Sequence, residues 1–207
     1  MKHVFFATLI CFFTIMANGQ QFDPNSPLHQ VIQNNPKWFG RIASNPDSFR
    51  VQIIYTQINR NKKNKPSFKE FSYRLNNQEY FYPASTVKMP IALLALEKIN
   101  ELGIKGLTRN SIMITDSASA AQDHVYNQPN ANDGAPTIEN YIKQIFLVSD
   151  NDAFNRLYEF LGQEYIQRKL KEKGYPDAII RHRLQLNRTV EQQAITNPVK
   201  FFDTAGN

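Results

Sequence analysis

The segment Thr86–Leu102 constrains the chain more than any other. Val87, Ile91, Leu94, Ala95 and Leu102 recur at helical spacing and share one face. A helix with a single apolar face is stable only when neighbouring elements cover it, so the rest of the chain must supply that cover. Pro90 falls early in the segment, where a missing N–H costs little because first-turn donors have no partner inside the helix. Gly103 supplies the stop.

Two strand-like runs precede this helix. In Phe49–Ile58, Val51, Ile53 and Tyr55 alternate with Gln52, Ile54 and Thr56; in Phe68–Leu75, Phe71, Tyr73 and Leu75 share a face. Arg60, Lys62, Lys63, Lys65 and Lys69 lie around the connection, among Asn and Pro. A nucleic-acid platform interleaves basic residues with stacking aromatics. The pattern here reads instead as the solvated loop of an antiparallel hairpin, and no nucleic-acid partner is expected. Upstream, Pro27–Trp38 reads as a short helix capped by Ser26, with Leu28, Val31 and Ile32 on one side.

Downstream, residues 116–136 read as loop. Thr137 is a good N-cap for a helix carrying Ile138, Ile142, Ile145 and Phe146. Two more helices are expected over Asp152–Leu161 and Gln163–Lys173, then mainly loop from Tyr175. A hairpin followed by several helices predicts a mixed α/β (α+β) fold. The 207-residue length is compatible with one domain.

The N-terminus is a separate object. Met1, Lys2 and His3 form a basic start, Val4–Ala17 is almost wholly apolar, and Ala17-Asn18-Gly19 offers small residues at a cleavage site. This predicts a secretory signal peptide over 1–19 and a domain over 20–207. The apolar run is shorter than the ~20 residues that span a bilayer. The expected location is therefore secreted or periplasmic, with no stable membrane anchor after cleavage. Cys11, the single cysteine, lies in the signal, so the mature chain would hold no disulfide and no thiol nucleophile. Nothing in the pattern specifies an oligomeric state.

Several chemistries lack their motifs. There is no H-E-x-x-H, no paired Cys/His spacing, no G-x-G-x-x-G, no phosphate loop and no G-x-S-x-G. His3, His29, His124 and His182 share no ligand spacing, so no metal or cofactor is expected. One segment does stand out, Phe81-Tyr82-Pro83-Ala84-Ser85-Thr86-Val87-Lys88. Ser85 falls at the start of the strongest helix, and Lys88 falls one turn further on the same face. A serine hydroxyl needs an adjacent base to become a nucleophile. A lysine in a dry cleft can shed its proton near neutral pH. The helix N-terminus offers N–H groups and a positive dipole end to a developing oxyanion.

With 10 Ser and 14 Lys, chance alone supplies roughly 0.7 S-x-x-K spacings in this chain. The same residues also suit a helix cap followed by a solvated lysine. Ser149-Asp150-Asn151 is more specific. The composition supplies roughly 0.04 such tripeptides by chance, although a polar helix-to-helix turn would look the same.

Taken together, S-x-x-K followed 64 residues later by S-D-N resembles the β-lactamase and penicillin-binding protein superfamily, class A β-lactamases most closely. Phe81, the hairpin and the helical run Thr137–Leu161 also look like that family. The resemblance implies that Ser85 attacks the carbonyl of a β-lactam or of a peptidoglycan-like acyl-D-Ala-D-Ala, the expected small-molecule partner. It implies that Lys88 takes the hydroxyl proton, Ser149 relays a proton to the leaving nitrogen, and Asn151 binds the substrate side-chain amide. It further implies that the Ser85 N–H forms half of an oxyanion hole.

Two positions depart from the family pattern. In Arg183-Leu184-Gln185-Leu186-Asn187, Leu186 and Asn187 match, but Arg183 stands where the family keeps the Glu that activates the deacylating water. Arginine is not a general base at neutral pH, and Glu191 is the nearby carboxylate that could substitute. No K-T-G triad follows by Asn207. The expectation is thus an N-terminal portion of a longer protein, with an incomplete sheet, exposed strand edges and doubtful activity on its own.

Overall fold

The computed structural model describes residues 26–119 and 122–202. The expected signal segment, with Cys11, lies outside the described residues. The chain divides into two compact units, Met1–Phe81 and Tyr82–Asn207.

In the first unit, Ser26 caps helix α1 (Pro27–Asn34), accepting from the His29 N–H at 3.2 Å. The expected single helix through Trp38 is broken. Pro36 disfavours helical geometry at the residue before it, and Asn35 sits at φ −125°, ψ 58°. A second helix, α2 (Pro36–Ser44), starts there with proline at its first position. The hairpin forms as β1 (Ile53–Arg60) and β2 (Pro66–Tyr73), antiparallel from Ile53↔Tyr73 to Arg60↔Pro66. Both strands lie nearer the turn than the alternation predicts, and Arg74, at φ 54°, ends β2 directly after Tyr73. The Asn61 side chain closes the turn, accepting from the N–H groups of Lys63 and Lys65 at 3.0 Å each. Tyr55 and Phe71 stack at 6.0 Å on one face, as the alternation predicted.

The second unit is built from a 3₁₀ turn (Ala84–Val87), α3 (Lys88–Glu101), β3 (Ile112–Thr115), α4 (Ile138–Val148), α5 (Asn151–Leu161), α6 (Gln163–Glu172), α7 (Val190–Ala194) and β4 (Val199–Phe202). Strands β3 and β4 pair antiparallel, Ile112↔Phe202 to Thr115↔Val199. The architecture is mixed α/β, with two small antiparallel sheets. Three short elements are not expected from the sequence: β3, and, in the stretch after Tyr175 that reads as mainly loop, α7 and β4. The four-residue strands are too brief to show periodicity, while α7 is announced only by its Thr189/Gln192 capping box.

Helix α5 lies at the centre of the core. Every residue from Ala153 to Leu161 is buried, so this helix has almost no solvent face. Ile91, Leu94 and Ala95 of α3, Tyr141 and Ile145 of α4, and Ile166 of α6 join it in one cluster. Two expected core positions are outside it: Leu102 is 43 % exposed, beyond the end of α3, and Phe146 of α4 is 59 % exposed. Tyr141 takes the inward position on α4 instead.

Phe154 is wholly buried, whereas Leu147 is 78 % exposed. Phe154→Ala is expected to remove about 3–5 kcal/mol of stability by leaving a cavity, and Leu147→Ala to change it by no more than ~0.5 kcal/mol. Urea midpoints of the two variants measure the contrast; equal midpoints would contradict this assignment of the core.

Candidate active site

The site is assembled at the joint between α4 and α5. Helix α4 is started by Thr137, which accepts from the Asn140 N–H at 3.1 Å, and it ends in a left-handed residue, Ser149, at φ 55°, ψ 41°. A side chain other than glycine is disfavoured there, and such strain is typical of functional positions. The strained turn lets just two residues, Ser149 and Asp150, separate the helices. Asp150 caps α5 by accepting from the Ala153 N–H at 2.8 Å. Asn151 is therefore the first residue of α5, and the Ser149 carbonyl is left free of the helix.

Lys88, the first residue of α3, reaches into this joint and is 3 % exposed. Its ammonium donates to the Ser149 carbonyl, to Ser149 Oγ at 3.0 Å and to Asn151 Oδ1 at 2.5 Å. All three of its donors are thus used. Burial pushes the Lys88 pKa below the ordinary lysine value of 10.5, and the nearby Asp150 charge works against that fall.

Ser85 sits in the 3₁₀ turn one turn before Lys88, rather than at the first position of α3. It is exposed, and no hydrogen bond joins its hydroxyl to Lys88 among the described residues. Ala84, immediately before it, has φ 47°, a second strained residue beside the site. The Ser85 N–H has no backbone carbonyl partner outside its own turn among the described residues. The structure therefore brings Lys88, Ser149 and Asn151 into one hydrogen-bonded group and leaves Ser85 outside it, exposed, in the turn that leads into α3. Among the described residues there is no cluster that could hold a metal ion.

Arg183 is far from solvated. It is 1 % exposed, and its Nε lies 3.1 Å from Glu159 Oε1 of α5, an ion pair without hydrogen-bond alignment. Its guanidinium donates to the carbonyls of Gln192 (3.0 Å) and Ile195 (2.8 Å), and its N–H donates to Gln193 Oε1 at 2.9 Å. Burial raises the Glu159 pKa, while the Asn197 N–H, donating at 2.5 Å, and Arg183 both favour the carboxylate. Arg183 is thus the tie between residues 183–195 and α5. Glu191 is an exposed carboxylate on α7, held below the usual range by its own backbone N–H and by the Thr189 side chain. It makes no hydrogen bond to Lys88, Ser149 or Asn151.

Two contributors escaped the sequence reading. Asn155, on α5, clamps the Leu184 backbone from both sides: its Nδ2 donates to Leu184 O at 2.9 Å and its Oδ1 accepts from the Leu184 N–H at 2.7 Å. Asn197 donates to the carbonyls of Asp116 (2.9 Å) and Asp123 (2.8 Å). Both are buried polar groups with no local motif, so only their spatial partners reveal them.

The model of the β-lactamase enzyme family matches residues 42–204, a span that includes Ser85, Lys88, Ser149 and Asn151. The family resemblance read from the two motifs is borne out. No curated protein matches the chain.

Two stability outcomes follow. Because the folded-state pKa of Lys88 is lowered, the folded chain binds fewer protons than the unfolded chain in the window just below 10.5, so stability rises with pH there. Lys88→Met is expected to remove that rise and, because it leaves the Ser149 and Asn151 acceptors without their donor, to cost about 1–3 kcal/mol at neutral pH. Urea midpoints at several pH values check both points. Glu159→Gln, by contrast, strands the Arg183 charge and should cost about 3–5 kcal/mol; an unchanged midpoint would show that the pair does not hold the loop.

Proposed function

Because the chain belongs to the β-lactamase enzyme family, a family of hydrolases, we propose that it is an exported serine hydrolase forming an acyl-enzyme at Ser85 with a β-lactam or related amide. The observation that carries this reading is the buried Lys88 ammonium, bonded to Ser149 and Asn151 one turn beyond an exposed serine. A surface lysine would supply neither the lowered pKa nor the fixed direction that a base requires.

In the proposed reaction, neutral Lys88 accepts the Ser85 hydroxyl proton as Oγ bonds to the carbonyl carbon. The Ser85 N–H donates to the resulting oxyanion. The amide C–N bond then breaks, and the leaving nitrogen takes a proton through Ser149 Oγ, which Lys88 re-supplies. Asn151 keeps Lys88 oriented and has an amide N–H₂ free to hold a substrate carbonyl. Each proton has a source and a destination without a further reactant.

Hydrolysis of the acyl-enzyme needs a base for water. Arg183 is committed to Glu159 and to two backbone carbonyls, which favours slow deacylation and penicillin-binding behaviour over rapid turnover. The exported location rests on the 1–19 signal pattern, and N-terminal sequencing of the secreted protein should begin at Gln20.

Incubation with a labelled penicillin tests the chemistry. Wild type should carry label that outlasts denaturation and disappears only over many minutes. Ser85→Ala should carry none, and Lys88→Met should label at least ~100-fold more slowly. Absence of label on the wild type would favour a second reading, a catalytically dead module on the same scaffold that binds cell-wall peptide without reacting. Fast turnover of a chromogenic β-lactam would instead require a deacylating base other than Arg183.

A further inference from the structure

Helix α3 carries a second inward lysine. Lys98, ten residues after Lys88, donates to the carbonyls of Phe160 (2.5 Å) and Leu161 (3.0 Å). Those carbonyls belong to the last turn of α5, whose final C=O groups have no partner within the helix. The ammonium is sandwiched between aromatic faces, 4.8 Å from the Phe160 ring centroid and 5.0 Å from that of Tyr165 in α6. Lys88 meets the start of α5, at Asn151, and Lys98 meets its end, ten residues later. Two helices tied in this way run in the same direction, and the two ties lie about 15 Å apart along each helix at 1.5 Å per residue.

We propose that Lys98 is a positioning residue that sets the axial register of α3 against α5 and so holds Lys88 in place at the joint. Ile91, Leu94 and Ala95 of α3 pack into the core they share with α5, and apolar burial itself is non-directional. The hydrogen bonds at the two ends add a directional constraint along the helix axes. The two lysines meet opposite ends of the α5 dipole. Its C-terminal end favours the Lys98 cation, and its N-terminal end disfavours the Lys88 cation. Without the Lys98 tie, α3 can shift along α5 and the Lys88 head group gains water. The charged groups that act on the two lysines are Arg168 of α6 at Lys98 and Asp150 of the helix joint at Lys88; Lys169 and Glu101 meet the same Tyr165 that packs on Lys98, at its ring and its hydroxyl.

This inference rests on the proposed role of Lys88, so its test includes a measurement that does not depend on acylation. Lysine side chains labelled at Cε with carbon-13 give the Lys88 titration midpoint by NMR, assigned by its loss in Lys88→Met. In Lys98→Met the Lys88 midpoint should rise toward 10.5, the ordinary lysine value. Penicillin labelling at neutral pH should slow on the order of 10- to 100-fold, and its pH profile should move up with the midpoint. Lys98→Arg, which keeps a cation and donors for the two carbonyls, should restore both. A Lys88 midpoint in Lys98→Met equal to that of wild type would overturn the proposal, whatever happens to thermal stability. Should Lys98→Met fail to fold by circular dichroism, Lys98→Gln carries the same comparison with an uncharged donor. Failure of wild type to label would count against the acyl-enzyme reading, and the Lys88 midpoint would still support or overturn the register claim.

Discussion

The absence of a solvent face on α5 governs the second unit. On a helix buried along Ala153–Leu161, each unpaired polar group costs about 1–3 kcal/mol. Arg156 pairs with Asp152 of the same helix at 3.2 Å, and its Nε and Nη1 have no hydrogen-bond partner among the described residues. Asn155 and Glu159 draw partners from outside the helix: Asn155 takes the Leu184 backbone, and Glu159 takes Arg183 and the Asn197 N–H. Residues 180–197, which have little core of their own, are held in place largely by these obligations.

The same constraint explains the geometry at the helix ends. Because α5 is enclosed, the chain must enter it abruptly, and the strained Ser149 makes the turn possible in two residues. That strain turns the Ser149 carbonyl and hydroxyl toward Lys88 together. Lys88 is then subject to opposed influences. The carbonyl at the end of α4 and the Asp150 carboxylate favour its charge; burial and the positive end of α5 disfavour it. A lysine whose ammonium is fully hydrogen-bonded but incompletely stabilised can both hold a proton and give it up.

Much of this was legible in the sequence where local rules dominate. The hairpin, the helix beginning near Ser85, the Thr137 cap and the S-D-N joint all rest on contacts within a few residues, and all formed close to where they were read. Elements that depend on distant partners were not legible. Asn155, Arg156 and Glu159 look like the polar stripe of a surface helix, and only enclosure by α3, α4 and α6 makes them interior. Strands β3 and β4 each have four residues and exist because they pair across more than eighty positions of sequence. The signals for Lys98 were equally remote, since its partners lie at Phe160 and Leu161. At the site itself, residue types and spacing pointed to the group around Lys88, whereas the openness of the Ser85 hydroxyl is a matter of three-dimensional placement.

Arg183 shows how a fold requirement and a chemical one can compete for a single position. Its side chain is a tie at the crossing of three segments, since it reaches Glu159 on α5 and the carbonyls of Gln192 and Ile195 while its own N–H takes Gln193. A carboxylate at this position would meet Glu159 as a like charge and would have no donors for those two carbonyls. The arginine and the glutamate on α5 therefore form a matched pair, and neither can be exchanged alone without leaving the other buried and unpaired. In the proposed reaction the consequence falls on one half only. Acylation draws on Ser85, Lys88, Ser149 and Asn151, which belong to the start of α3 and the α4–α5 joint. Release of the acyl group draws on the loop that Arg183 fastens. The two half-reactions rest on different parts of the fold, so a change in the loop can slow release while the machinery for attack stays assembled.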